Sequence, residues 1–193
     1  MQTCFLTLHV GPGTFRPVKS ERVEEHFLDP EPYAIPPETV AAVRRAKDER
    51  RRVVAVGTTS LRALEGSLGQ SRGTTDLFVY PPREFRVVDA LVTNFHLPRS
   101  SLLMLAAAFA APGSMEGIEF VRRAYAHAVE SRYRFLSYGD ACLFVQHALL
   151  TALYVCHGQP CCWLPVPVRN AGWRFALPGP ETVLDRPWLE ASN

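Results

Sequence analysis

No stretch of this sequence stays apolar for the roughly 18 residues that a membrane-spanning helix requires. The longest apolar run, LLMLAAAFAA from Leu102 to Ala111, has the length of a buried helix instead. The N-terminus, MQTCFLTLHVG, lacks a basic leader and runs straight into a strand-like pattern, so no signal peptide is expected. Cysteine is sparse and unpaired: Cys4 and Cys142 are isolated, and Cys156, Cys161 and Cys162 cluster late without CxxC spacing. Five thiols, an odd number, form no disulfide framework and suit a reducing cytoplasm. HExxH and comparable ligand spacings are missing, so no metal site is expected. The glycine-rich dinucleotide fingerprint is not met either. Nor does one sign of charge prevail, because 21 Lys and Arg face 19 Asp and Glu for a net charge of +2. That balance permits an anionic partner without demanding one.

What is present is an alternation of strand and helix signals over the first 145 residues, within a chain of 193 that can bury a proper core. TLHV is a short strand entering Gly-Pro-Gly. PPETVAAVRRAKDER carries helix-start prolines and an apolar Val40, Val43 and Ala46 stripe, with Arg44–Asp48 and Arg45–Glu49 spaced as i,i+4 pairs. RRVVAVG reads as an apolar strand, and TTSLRALEGSLG as a capped helix with Leu61, Leu64 and Leu68 on one side. TDLFVYP and FRVVDALVT are two more strand candidates. SSLLMLAAAFAAPG is a buried helix stopped by Pro112-Gly113, and GIEFVRRAYAHAVESRYRF an amphipathic one with Ile118, Val121, Tyr125 and Ala128 inward. This order predicts an α/β fold, a mixed or parallel sheet with helices packed on it.

From about Val145 the character changes. The last 48 residues hold all three tryptophans, three of the five cysteines and six of the sixteen prolines, but only six of the charged side chains. No helix or strand period runs through PCCWLPVPV or FALPGPETV. The expected organisation is one domain over 1–144 and an unrelated, loosely ordered tail over 145–193.

Several short patterns carry both a structural and a functional reading. In VVAVGTTSLRALE a strand, a glycine and a hydroxyl cluster lead into a helix. Thr58, Thr59 or Ser60 can cap that helix, and its free N–H groups suit a carboxylate or phosphate. HVGPGTFRPVK places Gly11, Gly13, Thr14, Arg16 and Lys19 just beyond a strand, either as a tight turn or as a close backbone approach to an anion held by Arg16. Glu24, Glu25 and His26 offer acid–base groups or a solvated surface run. RRAKDERRR, with Arg122, Arg123, Arg132 and Arg134, is either a set of wet helix faces or a track for phosphates. In TNFHLPRSSLLML, Asn94 and His96 stand between a β-type run and a helix, as a turn or as a site.

Together these stretches say more than each alone. LHVGPGTFRPV, EEH, VGTTSLRALE, VVDALVTNFHLPRSSLLMLAAAFA and YRFLSYGDA occur in that order and at sensible intervals. The chain resembles, over residues 5 to 144, the C-terminal half of the S-adenosylmethionine:tRNA ribosyltransferase-isomerase family of queuosine biosynthesis. Such a resemblance implies that the ribosyl part of S-adenosylmethionine moves to 7-aminomethyl-7-deazaguanine in tRNA. The group rearranges to an epoxycyclopentanediol, giving epoxyqueuosine, while adenine and methionine leave. S-adenosylmethionine is then a co-substrate rather than a bound cofactor. A base takes a proton next to the sulfonium, and the ring opens with loss of adenine, so the site needs a proton acceptor and an anion pocket.

On that resemblance His26 and His96 become acid–base candidates, with Asn94 orienting substrate at the carboxyl end of a strand. Thr58, Thr59, Ser60 and Arg62 become candidates for the carboxylate or ribose, and Gly11, Gly13, Thr14 and Arg16 for a phosphate or carboxylate. The expected partners are S-adenosylmethionine, tRNA bearing the deazaguanine precursor, and a separate N-terminal half, with no membrane. A family block resembling GSVAAPTAGLHF does not occur in this sequence, so the expected chain is a truncated relative, and the alternative is a catalytically incomplete fragment acting only as a nucleotide- or tRNA-binding or complementing module. Smaller departures are Pro12 in place of the usual Ala, LDPE after EEHF, and Pro82 in place of the usual Gly.

Overall fold

A computed structural model describes residues 1–146, together with the backbone of two strands at 151–157 and 159–164. The strands fall into two sheets. The smaller is antiparallel, in the order β1 (Thr7–Leu8), β2 (Glu31–Ala34), β4 (Arg72–Thr75). The larger runs β3 (Val54–Val56), β5 (Ala90–Asn94), β6 (Ala141–Gln146), β7 (Thr151–His157), β8 (Gln159–Leu164). Among the described strands β3 and β5 are the parallel pair and the other pairings are antiparallel, so the sheet is mixed, in line with the α/β reading of the sequence. Strand β6 passes through the point where the composition changes, and β7 pairs with it from Ala141–Cys156 to Gln146–Thr151. The rest of the tail lies outside the described residues, as do the side chains of Cys156, Cys161 and Cys162.

Among the described residues four α-helices complete the fold: α1 (Pro37–Asp48), α2 (Thr58–Ser67), α3 (Ser101–Ala110) and α4 (Glu116–Glu130). Alternation along the strands gives the large sheet two unlike faces. Ala55, Leu91, Cys142 and Phe144 point into the core with Leu61, Leu105, Phe95 and Phe109 from the helical side. Val54 and Val56 point the other way and are 47% and 70% exposed, on a strand that ends the sheet. The continuous apolar run of RRVVAVG is therefore not buried on both faces as it would be in a central strand.

Proline at the first position of α1 fits, because that N–H has no intrahelical partner. Thr39, Ala42 and Ala46 are buried, with Val40 and Val43 packed at the core's edge. The helix closes on itself: Arg51 N donates to the Ala46 carbonyl at 2.7 Å and Arg50 N to that of Lys47 at 3.0 Å, with Arg50 left-handed at φ 55°. Glycine is the usual residue at such a closure, and an arginine there costs roughly 1 kcal/mol of backbone strain. The two expected i,i+4 pairs do not form. Arg44 donates to the Gly69 carbonyl and Arg45 to Gln2, while Glu49, already leaving the helix, takes Arg51 at 2.6 Å.

Two apolar stripes differ from the sequence reading. In α4, Gly117 approaches α3 so closely that a Cβ would collide with the Ala107 carbonyl. This contact turns Phe120, Val121, Ala124, Tyr125 and Ala128 inward and leaves Ile118 49% exposed. In α2, Leu61 and Leu64 are buried, but Leu68 falls on the left-handed C-cap and is exposed. The strand expected at TDLFVYP lies earlier, at Arg72–Thr75. Beyond it Leu77 and Val79 pack on the core without a ladder partner, and the Leu77 carbonyl accepts from Arg62 Nε at 3.0 Å.

Candidate active site at the strand ends

Because β3 and β5 are parallel, their carboxyl ends open on the same side, and Gly57 N donates to the Val92 carbonyl at 2.7 Å across them. Gly57, at φ 90°, turns the chain from β3 into α2. It is also the N-cap, and no side chain caps the helix. The expected hydroxyl cap is thus absent: Ser60 Oγ donates back to the Val56 carbonyl at 2.8 Å, and Thr58 is buried in the turn. Thr59 and Ser60 are partly exposed. The first N–H groups of α2 are left without a side-chain acceptor, which is the condition an anion at a helix N-terminus needs.

At the end of β5 the chain alternates sides. Phe95 is fully buried against Tyr125, Tyr133 and Phe135, with ring centroids 4.8 to 5.9 Å away. That anchor holds Asn94 and His96, both half-buried, on either side of it. Asn94 Nδ2 reaches the Asp140 carbonyl at 3.4 Å, and Asp140 in turn accepts Arg134 N at 2.7 Å. The TNFHLP and YRFLSYGDA stretches therefore meet here. His96 N donates to Tyr125 Oη at 3.1 Å, and its Nε2 lies 2.9 Å from Thr93 Oγ1. Burial lowers the His96 pKa from 6.5 to about 4, so the imidazole is neutral at neutral pH. Nearby, burial pushes the Cys142 thiol up to about 12, and the thiol donates to the Thr93 carbonyl at 3.3 Å. Such a thiol is inert.

The Gly-Pro-Gly stretch joins the same region. Residues Pro12–Phe15 form a single 3-10 turn. Ser101 Oγ donates to the Thr14 carbonyl at 2.9 Å, Val18 N donates to the Arg99 carbonyl at 2.9 Å, and Pro17 bridges Ser100. Beneath the turn is a buried ion pair, Arg62 Nη1 to Glu31 Oε2 at 2.6 Å, with both side chains 3% exposed. Glu31 Oε1 accepts from Gly11 N at 2.8 Å and Thr14 Oγ1 at 2.7 Å, and Thr14 Oγ1 also accepts from Arg62 Nη1 at 3.1 Å. Arg62 Nη2 is buried and has no partner among the described residues. Gly13 sits against Asp29, whose carboxylate a Cβ would meet at 2.9 Å, and Arg16 is exposed.

His26 stands apart. It follows the Val23–Glu25 turn and sets its ring edge-on to Phe78 at 4.8 Å, with Nε2 buried and without a hydrogen-bond partner among the described residues. Among the described residues no hydrogen bond or ring contact joins it to Asn94 or His96. Glu31, Glu65 and Asp140 escaped the sequence reading. Glu65 accepts the backbone N–H groups of Arg86, Val87 and Val88 at 2.9 to 3.1 Å. Its placement next to Arg62 on an apolar helix was the available signal. Among the described residues no group of three His, Cys, Asp or Glu is placed to hold a metal, and no helix is long and apolar enough to cross a membrane.

Residues 1–144 match the family model described as queuosine biosynthesis protein. The chain belongs to this family. It is 54% identical over 152 residues to an S-adenosylmethionine:tRNA ribosyltransferase-isomerase of Cupriavidus pinatubonensis (strain JMP 134 / LMG 1197), covering 76% of this chain and 42% of the relative. With the enzyme of the same name from Aquifex aeolicus (strain VF5) it shares 57% over 142 residues, 73% of this chain and 41% of that one. Among solved structures, the S-adenosylmethionine tRNA ribosyltransferase of Thermotoga maritima is similar at 52% identity and a TM-score of 0.52. That likeness covers 58% of this chain and 40% of the Thermotoga chain. The chain thus spans about two-fifths of the length of the queuosine-biosynthesis relatives it matches.

Proposed function

We propose that this chain acts in queuosine biosynthesis as part of an S-adenosylmethionine:tRNA ribosyltransferase-isomerase. The observation that carries this reading is the family match over residues 1–144. In the reaction, the ribosyl group of S-adenosylmethionine passes to the deazaguanine of tRNA and is isomerised, and adenine and methionine depart. S-adenosylmethionine is a co-substrate, no cofactor is needed, and the place of action is the cytoplasm with its tRNA.

The geometry supports distinct roles. The uncapped start of α2 at Thr58, Thr59 and Ser60 takes the methionine carboxylate. Asn94 orients the substrate from the end of β5. Proton abstraction next to the sulfonium calls for a stronger base than an imidazole with a pKa of about 4, so His96 positions substrate as a neutral hydrogen-bonding ring. His26, whose Nε2 has no hydrogen-bond partner among the described residues, is the other acid–base candidate, although it stands apart from Asn94 and His96. Arg16 and Arg62 Nη2 are cationic donors left over at the Gly11–Thr14 turn for an anionic group of the substrate.

A second reading is supported by the exposed Val54 and Val56 on a strand at the edge of the described sheet. In it the chain is a binding module that becomes catalytic only with a separate N-terminal half. Both readings meet in one experiment. The chain is incubated with S-adenosylmethionine and precursor-bearing tRNA, and adenine is measured, alone and with the N-terminal half of a relative added. Adenine from the chain alone supports the first reading, and adenine only on addition supports the second. No adenine in either case, from folded chains, sinks both.

A further inference from the structure

We propose that the outer face of α1 and the turn following α2 form the surface along which the tRNA backbone lies, remote from the reacting base. The inference rests on tRNA being the substrate, as proposed above. A groove of about 600 Å³ runs between Val40, Ala41, Arg44 and Arg45 of α1 and the Gly69 and Ser71 turn, with Asp48 and Glu49 at its margin. Arg44, Arg45, Lys47, Arg50, Arg51 and Arg52 follow one another within nine positions. Lys47 is paired with Asp89 at 2.9 Å and Arg51 with Glu49 at 2.6 Å. Arg44 and Arg45 hydrogen-bond only uncharged groups, and Arg50 and Arg52 have no carboxylate at ion-pair distance among the described residues.

The other arginine-rich helix is different. In α4, Arg122 is held in a fork by Glu119 at 2.8 and 2.9 Å, and just past the helix Arg134 reaches Asp140 at 3.2 Å. Arg123 and Arg132 also have no carboxylate at ion-pair distance among the described residues, but four such arginines gather within nine positions at the end of α1. Arg50 strengthens the point, since it keeps a guanidinium at a left-handed position where glycine closes a helix without strain.

The placement selects the ligand. The basic run ends where β3 begins, and the candidate site lies beyond the other end of β3, about 10 Å away at roughly 3.3 Å per residue. S-adenosylmethionine carries a single carboxylate and no phosphate, so it has nothing to offer four free guanidinium groups. A nucleic acid that presents one base at the strand ends carries a phosphate on every neighbouring nucleotide. An anionic membrane fits less well, because this face of α1 offers Pro37, Val40 and Ala41 but no large apolar side chain to insert.

The test uses the whole chain and an unmodified tRNA transcript over a series of salt concentrations. The variant Arg44→Ala/Arg45→Ala/Arg50→Gly is expected to bind tRNA at least about tenfold more weakly, with a salt slope smaller by about 2. Its affinity for S-adenosylmethionine should be unchanged. Arg44→Lys/Arg45→Lys keeps the charge and should keep most of the binding. Arg50→Gly alone separates the roles, since it should raise Tm by relieving strain while lowering tRNA affinity. Arg122→Ala/Arg123→Ala should bind as the unaltered chain does. Unchanged affinity and slope in the triple variant, beside an unaltered chain that binds tRNA, overturn this surface and leave the function standing. An unaltered chain that binds no tRNA at any salt overturns the tRNA reading itself. Tighter binding to vesicles containing phosphatidylserine than to tRNA, lost in the triple variant, assigns the surface to a membrane instead.

Discussion

The buried Arg62–Glu31 pair and the Asn94–His96 turn both lie near the start of α3, yet the protein occupies their hydrogen-bonding groups to very different degrees. Glu31 accepts from Gly11, Thr14 and Arg62, and Arg62 spends Nε and Nη1 on Leu77, Thr14 and Glu31. His96 uses one ring nitrogen on Thr93, and Asn94 makes one long bond of 3.4 Å. The second ring nitrogen of His96 has no partner among the described residues. A cluster satisfied in all but Arg62 Nη2 holds the chain together, whereas a less satisfied one retains capacity for a ligand. The Gly11 N–H, the Thr14 hydroxyl and Arg62 Nε and Nη1 are thus already engaged within the protein, and Arg62 Nη2 is the donor of this cluster without a partner among the described residues.

The contrast can be broken from either side. The largest effect is expected at the Arg62–Glu31 cluster. Glu31→Ala strands a buried guanidinium and should cost about 3 to 5 kcal/mol in urea unfolding, while Glu31→Leu/Arg62→Met should cost far less. A loss under about 1 kcal/mol for the single variant would refute the closed-cluster account.

Next is pH. Unfolded His96 takes a proton near 6.5, but the folded ring resists until about 4. Its neutral burial therefore favours the fold fully above pH 6.5, and that contribution is lost as pH falls towards 4, up to about 3 kcal/mol. Comparing unfolding of the unaltered chain and His96→Gln at pH 7 and 4.5 reads this directly, and the unaltered chain should lose more on acidification. Equal losses would mean the ring is not desolvated.

The smallest stability change is expected for Thr93→Val, about 1 kcal/mol from one hydrogen bond. With a competent N-terminal half present, its adenine release should still fall clearly because the His96 ring loses its orientation. His96→Gln should cost more activity than Thr93→Val, and wild-type turnover in it would remove His96 from the site.

Much of this was legible in the sequence, for identifiable reasons. The blocks from Gly11 to Ala141 mark the strand ends and turns where the candidate residues sit, and helices α1 to α4 follow from period and proline placement. What could not be read depends on long-range contacts. Glu31 finds Arg62 across 31 positions, and the close crossing at Gly117 rotates α4 enough to expel Ile118. The C-cap at Leu68 is a left-handed residue without the glycine or asparagine that signals one. Beta pairing past Val145 was invisible because PCCWLPVPV has no two-residue period.

The open edge at β3 has a practical outcome. Val54-Ala55-Val56 has no strand on its outer side among the described residues and presents two exposed β-branched side chains, the combination that recruits strands from neighbouring molecules. Arg51 and Arg52 immediately precede it, and charges so placed act as gatekeepers against aggregation. The shelf life of a concentrated preparation therefore depends on two side chains that contribute little to its fold.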